Sequence, residues 1–231
     1  ARYRSLFRAM IAKRKGGAPT GHLQTLPQGA GQLTDALIER LGDRIQCNTA
    51  AEGLTKTKDG WRVHTPEGDF DAEAVVLAAP APVCARLMRG IDSAVANAFD
   101  AIEYAPVSVV VTAWPAGAFD RSPNGFGVLV ARGEDIGVLG MLFTSEAYPD
   151  QCPEGEFITR TMVGGSVDPA AATLPHQELL HRVYAAHERF LGSRRTEPNL
   201  VRAYHHPRGI PQYTVGHPAR TAVIANAEDR F

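Results

Sequence analysis

The sequence predicts a mixed fold, α/β grading into α+β: a short α/β portion followed by a mostly antiparallel sheet with flanking helices. Three features carry this. Asp59-Gly60 separates two strand-like runs, 54–58 and 61–65, and is a dipeptide that two-residue hairpins favour because it tolerates positive φ. Residues 74–82 are almost continuously apolar, as expected of a strand covered on both faces. From Val107 onward, apolar and β-branched runs follow one another at hairpin spacing, at 107–114, 127–130, 138–145 and 157–163.

Taken in order, the first element is a basic amphipathic helix. Tyr3, Leu6, Phe7, Met10 and Ile11 share one helical face, basic residues fill the other, and Gly16-Gly17 and Pro19 end it. Such a helix either lies on an anionic membrane surface or is the solvated side of a helix packed on a larger body. Gly29-Ala30-Gly31 opens a second helix with Leu33, Leu37 and Leu41 on one stripe. A short strand at 45–49 follows, then the hairpin, and the turn Pro66-Glu67-Gly68-Asp69 leads into the apolar run at 74–79. Two short helical stretches, 83–89 and 93–102, precede the succession of strands. Residues 178–191 read as a long helix whose apolar face holds Leu179, Leu180, Val183, Ala186, Phe190 and Leu191, closed by Gly192. A last strand spans 201–205, and Gly209-Ile210-Pro211 reads as a kinked connection.

Composition excludes several classes. The 231 residues carry 24 Lys+Arg against 25 Asp+Glu and are 44% hydrophobic, which argues against disorder and gives no general reason to expect a nucleic-acid partner. No apolar stretch reaches the roughly 18 residues of a membrane span. The charge is unevenly placed: the first 34 residues hold six basic side chains and no acid. Cys47, Cys84 and Cys152 form no CxxC pair and are odd in number, the pattern of buried or half-buried thiols in a reducing, cytoplasmic compartment.

No acid–base or nucleophilic machinery emerges. His176, His181 and His187 lie five and six apart and so miss the i, i+4 face that helical metal ligation uses. His205 and His206 are adjacent and would point to opposite faces of a strand. The histidines are therefore expected to be solvated, with no metal site. Gly29-Ala30-Gly31 lacks the third glycine of a dinucleotide fingerprint, Thr34 standing in its place, and reads as close backbone packing at a helix start.

Longer strings carry a resemblance. Residues 28–42 resemble the GG-x-x-x-L-x-x-x-L helix of flavin-dependent amine oxidase-like proteins, 48–54 their N-T-x-V-x-x-I strand, and 74–82 their A-D-x-V-V-L-A-x-P-A element. Downstream, Tyr104-Ala105-Pro106-Val107, the 125–130 string Gly-Phe-Gly-Val-Leu-Val, Met162-Val163-Gly164-Gly165, and Gly209-Ile210-Pro211-Gln212-Tyr213 with Gly216-His217 are similar in order and spacing to the oxygen-dependent protoporphyrinogen oxidase family. The resemblance covers residues 20–231. With the missing initial Met and the end at Phe231, it implies a central piece of a larger flavoenzyme.

What the resemblance implies is specific. Residues 1–19 would end a helical membrane and substrate region, 20–85 belong to an FAD-binding domain, 86–195 form the sheet and helix of a substrate-binding domain, and 196–231 return toward the FAD-binding domain. Phe126, Gly127, Leu129 and Met162 match positions lining a tetrapyrrole pocket; Ala51, Ala79, Pro80 and His206 match the cofactor side. The activity implied is oxidation of protoporphyrinogen IX to protoporphyrin IX with O2, or of coproporphyrinogen III to coproporphyrin III. FAD does the chemistry and no side chain is catalytic. A non-catalytic porphyrin-binding or partner-binding remnant is the alternative from another class. The chain alone would bind FAD weakly. It would form homo-oligomers through exposed apolar faces, and its basic N-terminal helix would touch the cytoplasmic membrane face.

Overall fold

The computed structural model describes residues 25–231 apart from 122, 124 and 229. The basic helix expected at the N-terminus lies outside these residues. Helix α1 (Gly31–Leu41) runs into a 3-10 turn, Gly42–Arg44. Strands β1 (Gly53–Lys56), β2 (Trp61–Thr65) and β3 (Gly68–Ala72) form a small antiparallel sheet, and helices α2 (Ala81–Met88) and α3 (Ser93–Asp100) follow. The second sheet comprises β4 (Tyr104–Pro115), β5 (Gly127–Leu129), β6 (Gly140–Phe143), β7 (Glu156–Gly164) and β8 (Leu200–Pro211), in the order β5-β6-β7-β4-β8 and antiparallel throughout. The single turn α4 (Thr144–Ala147), the long helix α5 (His176–Leu191) and α6 (His217–Glu228) complete the chain.

One face of the five-stranded sheet makes the core. Alternation along β4 turns Ser108, Val110, Thr112 and Trp114 inward, all fully buried, while Val109 and Val111 face the other way and are half-buried. Leu179, Val183, Ala186, His187 and Leu191 of α5 are buried on this inward side at helical spacing. The four apolar ones join Val110, Trp114, Met141, Phe143 and Val163 in the main hydrophobic cluster. The helix stops at Gly192, whose φ of 86° disfavours other residues, and a Cβ there would meet the Asp120 side chain at 2.8 Å. Asp168 caps a 3-10 turn (Pro169–Thr173) through the Ala171 N–H and pairs with Arg182 of α5 at 2.8 Å, fixing the helix to the loop after β7.

Several expectations are corrected. Residues 45–49 form no strand: Asn48 sits at φ 60°, which breaks an extended run. The hairpin at Asp59-Gly60 exists, but Lys56 pairs with Trp61, so its loop is the four residues 57–60, closed by the Thr57 N–H donating to the Gly60 carbonyl at 2.9 Å. The turn at 66–69 leads into β3, and the strand expected at 74–79 does not form. The apolar run is unpaired, because no described strand lies beside it to exchange backbone hydrogen bonds. Val76 is 89% exposed. The Gly209-Ile210-Pro211 segment is not a connection outside the sheet: β8 continues through a bulge, with Ile210 opposite Ala105 and Pro211 opposite Tyr104. Helix α6 was not signalled, its weak amphipathicity giving no apolar stripe, and only Ala227 of it is buried. His187 is fully buried, contrary to the expectation of solvated histidines.

α2, α3 and α6 build a second, smaller cluster around Met88, Val95, Ala96 and Ala227, with Leu77 packed against it. Asp92 starts α3 by accepting from the Ala94 and Val95 N–H groups at 2.9 and 3.0 Å and reaches Arg230 at 2.9 Å, just past α6. The leucine stripe of α1 forms as expected, yet no residue of that helix is buried.

Candidate functional site

The outward face of the five-stranded sheet holds the residues expected to line a pocket. Pairing registers set them in rows. Leu129 of β5 lies opposite Gly140 of β6, Gly140 opposite Met162 of β7, Met162 opposite Val109 of β4, and Val109 opposite Tyr204 of β8. This row crosses all five strands and carries no charge. Two residues along each strand, the next row runs Gly127, Leu142, Arg160, Val111, Arg202. Five strands at about 4.8 Å spacing make a platform roughly 19 Å wide.

Glycine flattens one end of the platform. Gly127 holds φ 152°, and a Cβ there would stand 2.1 Å from the Met141 carbonyl oxygen; one on Gly140 would stand 2.6 Å from the Val128 oxygen. Neither position accepts a side chain without moving backbone. Leu129 therefore rises from a bare strip and is 87% exposed, Tyr204 is 53% exposed at the opposite end, and Met162 lies half-buried between them. Phe126, at the entry to β5, is 60% exposed, and its carbonyl accepts from the Phe143 N–H at 2.8 Å. The structure thus brings Gly127, Leu129 and Met162 onto one surface, with Phe126 at its edge.

Three of the four residues expected on the cofactor side, Ala51, Ala79 and Pro80, gather around α2. Pro80 precedes its first turn, the Cys84 thiol donates to the Ala79 carbonyl at 3.2 Å, and Arg86 Nη2 donates to the Ala51 carbonyl at 3.1 Å. The Ala81 N–H donates to the Tyr104 hydroxyl at 3.2 Å, which ties this helix to the end of the large sheet. His206 lies opposite Val107 there, three residues along β4 from Tyr104. It faces outward. His205 turns inward instead, with Nδ1 2.7 Å from Ser108 Oγ, so the adjacent histidines do divide between the faces. Beside α2 and the unpaired 74–79 segment lies a cleft of about 580 Å³, walled mainly by apolar residues including Trp61, Val75, Leu77, Met88, Phe99 and Phe231.

Ala51, Ala79, Pro80 and His206 do not line this cleft: the first three lie at the α2 end of it, and His206 borders a smaller pocket with Pro106, Leu174 and Pro207. The 74–79 segment offers backbone groups that no sheet consumes, beside an apolar cleft. Gly29 and Gly31 are not crowded by the protein, since a Cβ at either would meet nothing within 4 Å, so they are not held by the close backbone packing that the sequence suggests.

The flavin containing amine oxidoreductase family matches residues 5–226. The chain belongs to this family. Among curated relatives, the coproporphyrinogen III oxidase of Propionibacterium freudenreichii subsp. freudenreichii is 36% identical over 213 residues, covering 90% of this chain and 39% of that protein. Human protoporphyrinogen oxidase is 31% identical over 205 residues, covering 85% and 41%, and the chloroplastic protoporphyrinogen oxidase 1 of Arabidopsis thaliana is 28% identical over 208, covering 82% and 38%. The chain therefore spans about two fifths of the length of these relatives. Its fold is shared with a crystal structure from Exiguobacterium, provisionally named a protoporphyrinogen oxidase, at a TM-score of 0.77 and 22% identity over 100% of this chain and 49% of that one. Cyclohexylamine oxidase from Brevibacterium oxydans has the fold too, at a TM-score of 0.65 and 15% identity, over 77% and 38%.

Tyr204, Val109, Leu142, Arg160 and Arg202 were not foreseen on the platform. Strand alternation gives each residue a face, but the register that sets five strands side by side is a property of the folded sheet.

Proposed function

We propose that this chain supplies the substrate platform and one cofactor wall of an FAD-dependent oxidase that converts protoporphyrinogen IX to protoporphyrin IX with O2. The observation that carries this is the uncharged row from Leu129 through Gly140, Met162 and Val109 to Tyr204. A macrocycle of four pyrroles, puckered as the porphyrinogen and flat as the porphyrin, needs a broad apolar surface, and two crowded glycines beside an exposed leucine and a tyrosine make one. Ala51, Ala79, Pro80 and His206 would hold the flavin, which when bound would supply the two-electron oxidation that side chains cannot, three rounds of it with O2 as acceptor removing the six electrons between porphyrinogen and porphyrin.

The chain's own residues then bind and orient. The platform fixes the plane of the ring system, so that one carbon edge lies toward the sheet end where His206 and Tyr104 stand. Leu129 and Met162 exclude water from the covered face of the ring. No proton transfer is assigned to any side chain.

A second reading is coproporphyrinogen III as substrate, favoured by the 36% identity to a coproporphyrinogen III oxidase, above that to either protoporphyrinogen oxidase named here. The test is direct. The whole flavoprotein containing this chain is given each porphyrinogen in air, and porphyrin fluorescence is followed. Fluorescence rising with enzyme concentration, faster for one porphyrinogen, supports the proposal and names the substrate. Rates equal to spontaneous oxidation for both would refute it.

A further inference from the structure

Two guanidinium groups interrupt the platform's second row. Arg160 and Arg202 both lie opposite Val111, one on each side of it, so their backbones are about 10 Å apart across the sheet. Both are exposed. Arg62, Arg89, Arg182, Arg194, Arg195 and Arg230 each pair with a carboxylate. Among the described residues Arg160 and Arg202, like Arg121, Arg132, Arg189 and Arg208, pair with no carboxylate; what sets these two apart is that they share one outward row, and Arg202 Nη1 donates only to the Val201 carbonyl at 2.9 Å. Neither row contains an acid. Glu156, on the same face of β7, lies four residues from Arg160, about 13 Å along the strand, and accepts from Asn199 Nδ2 at 3.1 Å.

Like charges on one apolar surface repel each other and gain from an anion placed between them. The guanidinium fork matches a carboxylate with two parallel hydrogen bonds. The row beside them is apolar, so the complementary ligand has a flat hydrophobic body and carboxylates along one edge.

We propose that Arg160 and Arg202 form a carboxylate clamp that sets which edge of the substrate lies over β7, β4 and β8. This rests on the reading of the outward face as the substrate platform. The acid-bearing edge lies over the arginine row and the alkyl-bearing edge over Leu129 and Met162.

The test titrates the whole flavoprotein with coproporphyrin III and with its tetramethyl ester, followed by fluorescence. The acid is expected to bind more tightly than the ester and to weaken as salt rises. Arg160→Gln and Arg202→Gln are each expected to weaken the acid about tenfold while leaving the ester within about twofold, with Arg→Lys falling between, since the charge remains but the fork is lost. Because both side chains are exposed, thermal unfolding of the variants should match that of the unaltered protein. The clamp is overturned if acid and ester weaken equally, if neither substitution affects the acid, or if the unaltered protein binds the ester as tightly as the acid. In that last case the platform reading survives. If neither porphyrin binds, both fail together.

Discussion

Replacing Trp114 with alanine is expected to lower the unfolding free energy by about 3–5 kcal/mol, the range for deleting a large buried aromatic side chain. The measurement is the urea midpoint of each protein at unchanged slope. Trp114 is fully buried where β4, α5 and the loop after β4 meet. Its ring contacts Phe119 edge-on at a centroid distance of 4.8 Å and Tyr184 at 5.5 Å, and the Arg194 guanidinium lies 6.0 Å from its centre. Its indole N–H donates to Thr112 Oγ1 at 2.7 Å. Alanine would leave a cavity and also an acceptor without its donor. A loss under about 1 kcal/mol would show that the core closes over the gap and that Trp114 does not anchor the sheet to its helix.

Stability is also expected to fall by about 3 kcal/mol between neutral pH and pH 4 through His187 alone. The Trp114 N–H donates to Thr112, the Thr112 hydroxyl lies 2.8 Å from that of Thr159, Thr159 Oγ1 lies 2.9 Å from His187 Nε2, and His187 Nδ1 lies 2.7 Å from the Val183 carbonyl. A carbonyl can only accept, so Nδ1 carries the hydrogen. Nε2 is then the acceptor for Thr159, and every group in the chain is satisfied with the imidazole neutral. Burial pushes the His187 pKa from 6.5 down to about 4; the Val183 carbonyl opposes this and the charge of Arg194 adds to it. Between those values the unfolded chain holds a proton that the folded chain refuses. The contribution is therefore complete above about pH 6.5, declines as pH falls, and is gone near pH 4. The carboxylates of Asp71, Asp92, Asp120 and Asp168, held below 3.8 by arginine or backbone partners, lose their contributions only at lower pH. Urea midpoints at pH 7 and 4.5 should therefore converge in His187→Gln, and an unchanged pH slope would remove His187 as the cause.

Much of the fold was legible because local chemistry determines it. The β-branched run from Val107 to Trp114 became the long interior strand β4, and the helical periodicity from Leu179 to Leu191 became the helix that covers it. Elements failed where their formation depends on a neighbour. The 74–79 run has the composition of a buried strand, but a strand exists only by pairing, and no described segment pairs with it. The Gly209-Ile210-Pro211 stretch has the composition of a turn, yet β4 is long enough to hold it through a bulge. Spacing alone predicts a solvated His187, because it says nothing of the two threonines that β4 and β7 bring to it. At the platform, Gly127, Leu129 and Met162 were found through motif resemblance, while Tyr204 and the two arginines depend on register.

The central claim is that the outward face of the five-stranded sheet carries the macrocycle, and Leu129→Glu tests it most directly. Leu129 is exposed and touches none of the core, so the substitution should leave folding intact while placing a carboxylate beneath the ring. In a fluorescence titration of the whole flavoprotein with protoporphyrin IX, binding is expected to weaken by about tenfold or more, the loss of one buried leucine contact. Val167→Glu, in the loop after β7 and away from both rows, should bind as the unaltered protein does. Equal affinity for Leu129→Glu and the unaltered protein would contradict the claim.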